Sequence, residues 1–162
     1  MAYNDIDEFF VPANNSYNNW NEAFSSYLEN TNNSEICFRN WFYDASCPDK
    51  SSDLMLSSVF IREKEPWLPN RKTKCILYPE RILLAGIHKS DEFMPEHKKN
   101  HYKSVVIPPK EGYMAHFREE TVKTPECDLK NAENVEINKK LAKYGKMIEG
   151  EVNKMKKLIE NK

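Results

Sequence analysis

The sequence has no apolar run approaching the ~20 residues needed to span a bilayer. Its first residues lack the basic-then-apolar pattern of a secretory leader. Its four cysteines, Cys37, Cys47, Cys75 and Cys127, form no C-x-x-C pair, which argues against a zinc ribbon. Neither charge is in excess: the net charge is −1 with 30% charged residues, so there is no reason to expect nucleic acid or an anionic membrane as partner. Glycine is scarce, with four in 162 residues and none before Gly86. No internal repeat is visible.

What remains fits one ordinary domain. Hydrophobic residues make up 40% and aromatics 12%, enough to build a core. The scattered cysteines read about equally well as thiols or as one or two disulfides. Asn14 and Asn32 each begin an Asn-x-Ser sequon, a pattern that arises readily by chance in an Asn-rich stretch.

Residues 3–11 read as a buried strand with an acidic turn, broken by Pro12 and the Asn-rich run after it. In "NWNEAFSSYLE", Trp20, Phe24, Tyr27 and Leu28 fall at helical spacing. "SEICFRNWFYD" alternates like a half-buried strand, and "SSDLMLSSVFIREKE" suggests a short helix. "KCILYPERILLAGIH" gives two short strands broken at Tyr78-Pro79-Glu80. "KSVVIPP" and "GYMAHFRE" give strand, turn, strand. From about Asn131 the pattern changes. Leu141, Tyr144, Ile148, Val152, Met155 and Ile159 recur every three or four positions among lysines and glutamates, as in an amphipathic helix. Gly145 and Gly150 weaken it by roughly 1 kcal/mol each relative to Ala, so it needs packing to persist. The expectation is a mixed α/β domain over residues 1–130, with a helix over 131–162 packing on its sheet through Leu141, Tyr144, Ile148 and Val152.

The chemistry-bearing residues begin at "DIDEFF". Strand alternation would put Asp5 and Asp7 on one face, and Ile6 and Glu8 on the other. Two adjacent carboxylates repel unless solvent or a cation neutralises them. Oxygen ligands suit hard divalent cations such as Mg²⁺ or Mn²⁺. Such a cation can bridge carboxylates to a diphosphate and stabilise it as a leaving group. The flanking apolar residues place the cluster at the end of a buried strand, where ligands bind in α/β sheets. Of the four histidines, His97 and His101 sit among lysines in a solvated loop. His88 ends the strand "ERILLAGIH". His116 and Arg118 share a face of "GYMAHFRE"; a neutral imidazole could be a third metal ligand, and a guanidinium could pair with a phosphate oxygen.

Taken in order, "DIDEFFVP", "RKTKCILYPERILLAGIHKSDEF" and "VVIPPKEGYMAHFRE" resemble glycosyltransferase family 92. The matching motifs are Asp5-Ile6-Asp7-Glu8-Phe9, Lys74-Cys75-Ile76-Leu77-Tyr78-Pro79-Glu80, Gly86-Ile87-His88 and His116-Phe117-Arg118. The resemblance covers roughly residues 3–130. It implies an inverting, nucleotide-sugar-dependent transferase with a GT-A-like fold, a protein of the secretory pathway (Golgi) membrane. Some members move galactose from UDP-galactose to a fucose of N-glycans. By position, Asp5, Asp7 and His116 would hold a divalent cation, manganese, and His88 and Arg118 would lie near the donor diphosphate. A nucleotide-sugar donor and a glycan acceptor are the implied partners.

Two departures stand out. The family's domain extends well before the acidic motif, so the chain reads as the C-terminal part of that domain, lacking its nucleoside-binding N-terminal half. Alone, it is not expected to turn over a nucleotide sugar. A non-catalytic remnant or a small interaction domain without donor binding is the alternative. In addition, Asp44-Ala45-Ser46-Cys47 stands where family members tend to have a Gly-containing loop. The base that an inverting transfer needs is unassigned among Asp44, Asp49, Asp53, Glu63 and Glu65.

Overall fold

The computed structural model describes residues 4–13, 17, 19–48, 54–69, 71–95, 102–118 and 134–160. The chain divides into two compact units. The first comprises Met1–Trp41 and Pro66–His116, and the second Phe42–Glu65 and Phe117–Lys162. It is α/β, with a mixed sheet and a C-terminal helix, as the sequence pattern suggests.

In the first unit, strand β1 (Glu8–Pro12) pairs antiparallel with β9 (Gly112–Arg118), which runs on into the second unit. The register sets Glu8 opposite His116 and Phe10 opposite Met114. Strand β2 (Asn33–Phe38) is buried along its whole length. It pairs antiparallel with β5 (Lys74–Leu77) and parallel with β8 (Lys103–Ile107), which makes a mixed three-stranded sheet. A 3-10 turn at Pro79–Arg81 separates β5 from β6 (Ile82–Ala85), which forms a hairpin with β7 (Ser90–Phe93). Helix α1 (Trp20–Leu28) starts where the Asn19 side chain accepts a hydrogen bond from the Glu22 amide and donates one to the Glu22 carboxylate; the first bond satisfies a backbone amide left open at the helix start, and the second holds the capping side chain in place. The core beside it gathers Phe10, Phe24, Ile36, Phe38, Ile107 and Met114, with the Phe10 and Phe38 rings 4.8 Å apart. Cys37 and Cys75, paired across β2 and β5, form a disulfide, which settles their state.

The second unit begins within β3 (Asn40–Asp44), where Tyr43 pairs with Arg62 of β4 (Ile61–Glu63). Strand β4 in turn pairs antiparallel with β10 (Val135–Ile137). The Arg62 guanidinium reaches the Glu136 carboxylate at 2.6 Å across that pair. Cys47 is disulfide-bonded and packs with Ile61 and Val135. A single turn, α2 (Met55–Ser58), faces α3 (Ala142–Glu160).

The structure differs from the sequence expectation over 131–162. Strand β10 occupies part of that stretch, and the helix begins only at Ala142. It packs on α2. Leu141 is buried and Tyr144 half-buried, but Ile148 and Val152 are 42% and 39% exposed. The reason is Gly145, the buried residue of the helix. A Cβ there would lie 2.7 Å from the Ser57 amide nitrogen and 2.9 Å from the Leu56 carbonyl carbon. The helix backbone thus approaches α2 directly at Gly145, and the later apolar positions are more exposed. Gly150 would meet nothing within 4 Å. The two glycines should therefore respond oppositely to the same substitution. Gly150→Ala should raise stability by about 1 kcal/mol through helix propensity. Gly145→Ala should lower it by about 1–3 kcal/mol through overpacking against α2. Urea melts of both variants check this; a gain at both positions would mean that the close approach is not tight.

Candidate functional site

The acidic motif is a turn, not a strand. The Glu8 amide donates to the Asp5 carbonyl at 3.1 Å, the Asp5 amide donates to Glu8 Oε2 at 2.9 Å, and Asn4 Nδ2 donates to the Glu8 carbonyl at 2.9 Å. Ile6 projects from its tip, 96% exposed. The expected alternation therefore fails: Asp5 and Asp7 precede β1, and Glu8 opens the strand as a buried residue.

Glu8 is the centre of the arrangement, though the sequence pattern gave it no role. Its Oε2 lies 3.2 Å from Lys74 Nζ, and its Oε1 lies 3.4 Å from His116 Nδ1. The β1–β9 register makes the second contact, because Glu8 and His116 are direct cross-strand partners. Lys74, itself buried, also reaches Asp5 Oδ2 at 3.2 Å. On the other side of the imidazole, His116 Nε2 lies 3.4 Å from Asp7 Oδ2. Asn40 Nδ2, which donates to the Lys72 carbonyl, is 3.3 Å from His116 Nδ1. A lysine opening an otherwise apolar strand was the available signal for Lys74, since a buried ammonium requires counter-charges.

Burial is the largest single influence on the Lys74 ammonium and pulls its pKa down. The hydrogen bonds and charges of Glu8, then of Asp5, outweigh it, and the pKa ends above the usual lysine value of 10.5. A folded-state pKa raised above the unfolded one contributes stability that is fully present below about pH 10.5. That contribution is lost as pH climbs through the folded value. Tyr27 and Tyr78 are also raised by burial and push the same way, so the informative quantity is a difference. Above pH 10.5, wild type should lose stability more steeply with pH than Lys74→Met; parallel alkaline melting profiles would show that Lys74 is not held by this pair.

A cleft of about 520 Å³ opens beside these groups, lined by Asn4, Asp5, Lys74, Ala85, Gly86 and Ile87. His88 follows Ile87 on the exposed β6–β7 turn. Its Nδ1 lies 3.2 Å from the Thr73 carbonyl, one residue before Lys74. Arg118 is exposed at the end of β9 and belongs to the second unit, where its carbonyl accepts from the Ala45 amide. Asp44 is fully buried, and its Oδ1 accepts from the amide and the hydroxyl of Ser46. His97, His101, Cys127, Asp49 and Asp53 lie outside the described residues.

Of the three expected ligands, the structure brings Asp7 and His116 together and sets Asp5 on Lys74. Among the described residues, the one trio of ligand-type atoms within 4.8 Å of one another is Glu35, Cys37 and Cys75. The disulfide occupies both of those sulfurs. The Asp7–His116 pair suits a divalent cation in donor chemistry, one carboxylate oxygen and one imidazole nitrogen. It also suits one in spacing: neighbouring ligands about 2.1 Å from a six-coordinate ion are about 3 Å apart. Nδ1 has two neighbours, the Glu8 carboxylate and the Asn40 amide, and only the tautomer whose Nδ1–H turns to Glu8 leaves Nε2 open to a cation.

The chain is α/β and sets the Asp7–His116 pair at a strand end. The sequence matches the family model of glycosyltransferase family 92 over residues 1–161, and the chain belongs to that family. No curated protein matches it significantly. Among the described residues, no helix is long and apolar enough to cross a membrane.

Proposed function

We propose that the chain forms the cation- and diphosphate-binding part of a nucleotide-sugar-dependent transferase with a GT-A-like fold. UDP-galactose is the donor that the family resemblance suggests, a glycan is the acceptor, and the transfer inverts the anomeric centre. The enzyme works at the Golgi membrane of the secretory pathway. The observation that carries this reading is the 3.4 Å approach of Asp7 Oδ2 to His116 Nε2, beside a buried lysine that opens onto a cleft.

Asp7 and His116 would hold a divalent cation, manganese, with Asp5 available to it on leaving Lys74, and a cation there would supply charge neutralisation for a diphosphate leaving group. By accepting Nδ1–H, Glu8 would select the tautomer that offers Nε2. Lys74 supplies a fixed positive charge at the cleft wall, where it meets a diphosphate oxygen. His88 on the neighbouring turn is the further diphosphate contact.

Calorimetric titration with UDP, with and without Mn²⁺, tests this. UDP should bind only with Mn²⁺ present, and Asp7→Ala should abolish that binding. Absence of UDP binding under both conditions would contradict this reading and favour the alternative without donor binding.

A further inference from the structure

We infer that Asn32 carries an N-linked glycan, added before the chain folds. Asn32-Asn33-Ser34 is a sequon at the turn between α1 and β2. Asn32 is exposed there, and its hydrogen bonds are made by its backbone. Its amide N–H donates to Asn30 Oδ1 at 3.0 Å, and its carbonyl accepts from the Lys103 amide at 2.9 Å. Among the described residues its side-chain amide makes no hydrogen bond. The neighbouring Asn33 is the opposite case: it is buried, and its Nδ2 donates to the Tyr27 carbonyl at 2.8 Å. A glycan on Asn32 therefore stands in solvent and displaces no contact.

The cysteines supply an independent observation. Cys37–Cys75 is a disulfide, Cys47 is disulfide-bonded, and among the described residues no cysteine is free. Such full pairing belongs to an oxidising compartment, where sequons meet the transferring machinery.

The fold also fixes the order of events. The Ser34 hydroxyl, which a sequon must present, is fully buried and donates to the Lys103 carbonyl at 3.0 Å. Once β2 lies against β8, the sequon is closed. Modification therefore happens on the extended chain. In the transfer, the bond between the sugar C1 and the diphosphate oxygen of a lipid-linked donor breaks. A bond from C1 to Asn32 Nδ2 forms, the amide gives up one proton, and the lipid diphosphate leaves.

This rests on the secretory-pathway part of the proposed function. The test therefore delivers the chain to that pathway in cultured eukaryotic cells, so that a failure at Asn32 is separable from a wrong location. Both secreted and cell-retained chain are collected and treated with peptide-N-glycosidase in ¹⁸O water. Peptide mass spectrometry should find Asn32 converted to labelled Asp in both pools. Asn32→Gln should lose that modification while still accumulating as disulfide-bonded chain. Unlabelled Asn32 in both pools, including the case where Asn14 alone is modified, would overturn the inference.

Discussion

Glu8→Ala is expected to destabilise the chain by about 3–5 kcal/mol, the usual cost of removing one partner of a buried ion pair. The Glu8 side chain is 2% exposed and the Lys74 side chain 4%, so solvent does little to screen what is left. The substitution leaves the ammonium with Asp5 alone, removes the carboxylate beside His116 Nδ1, and takes away the acceptor of the Asp5 amide. For a chain of this size, the loss corresponds to a drop in Tm on the order of 10 °C. Asp5→Ala is the matched control. Asp5 holds the same lysine at the same 3.2 Å, but its side chain is 71% exposed. An exposed pair contributes at most about 1 kcal/mol. Differential scanning calorimetry of the two variants should separate them clearly; equal losses would mean that Glu8 is not the anchor of the cluster.

The second large effect concerns the cation. Asp7→Ala and His116→Ala should each weaken Mn²⁺ affinity by about 100-fold or more, since each removes one of the two proposed ligands. Glu8→Gln should weaken it by about 10–100-fold, the range found when a partner that orients a ligating histidine is lost. Asp5→Ala should have the smallest effect of the four, because Lys74 already occupies its carboxylate. Free Mn²⁺ followed by electron paramagnetic resonance during titration gives all four affinities. A hierarchy led by Asp5 would place the ion at the cleft, away from the imidazole.

Elements set by local pattern were legible in the sequence. Helix α1 follows from apolar residues at helical spacing, and the break between β5 and β6 follows from Pro79. The β8–turn–β9 unit follows from two alternating runs around Pro108 and Pro109. Elements that depend on distant partners were not. Strand β7 is the polar run Ser-Asp-Glu-Phe, and β10 is three residues long with a glutamate at its centre. Only its pairing with β4, with Arg62 on Glu136, makes it a strand. The terminal helix was visible from its period, but the period could not say which positions find a surface; Gly145, read there only as a weakness, is the point of contact.

The site divides in the same way. Asp7 and His116 were singled out together, and they do meet. That pairing came from the order of motifs, because nothing local in either segment points to the other. Alternation misplaced Asp5 and Glu8, since Asp-Ile-Asp-Glu has the period of a strand but closes as a turn through its own backbone. Lys74 was legible only as an anomaly, a charge opening an apolar strand, whose explanation lies 66 residues away at Glu8. The disulfide left no sequence signal of its own and follows from the β2–β5 register.

The central claim is that Asp7 and His116 share one cation. Nuclear magnetic resonance of the chain labelled with ¹⁵N at its histidine rings tests it most directly. Substoichiometric Mn²⁺ should broaden the His116 ring signals first and most strongly, ahead of those of His88, and Asp7→Ala should remove that selectivity. His116 signals that stay sharp while the other imidazoles broaden, or that broaden equally in Asp7→Ala, would contradict the account.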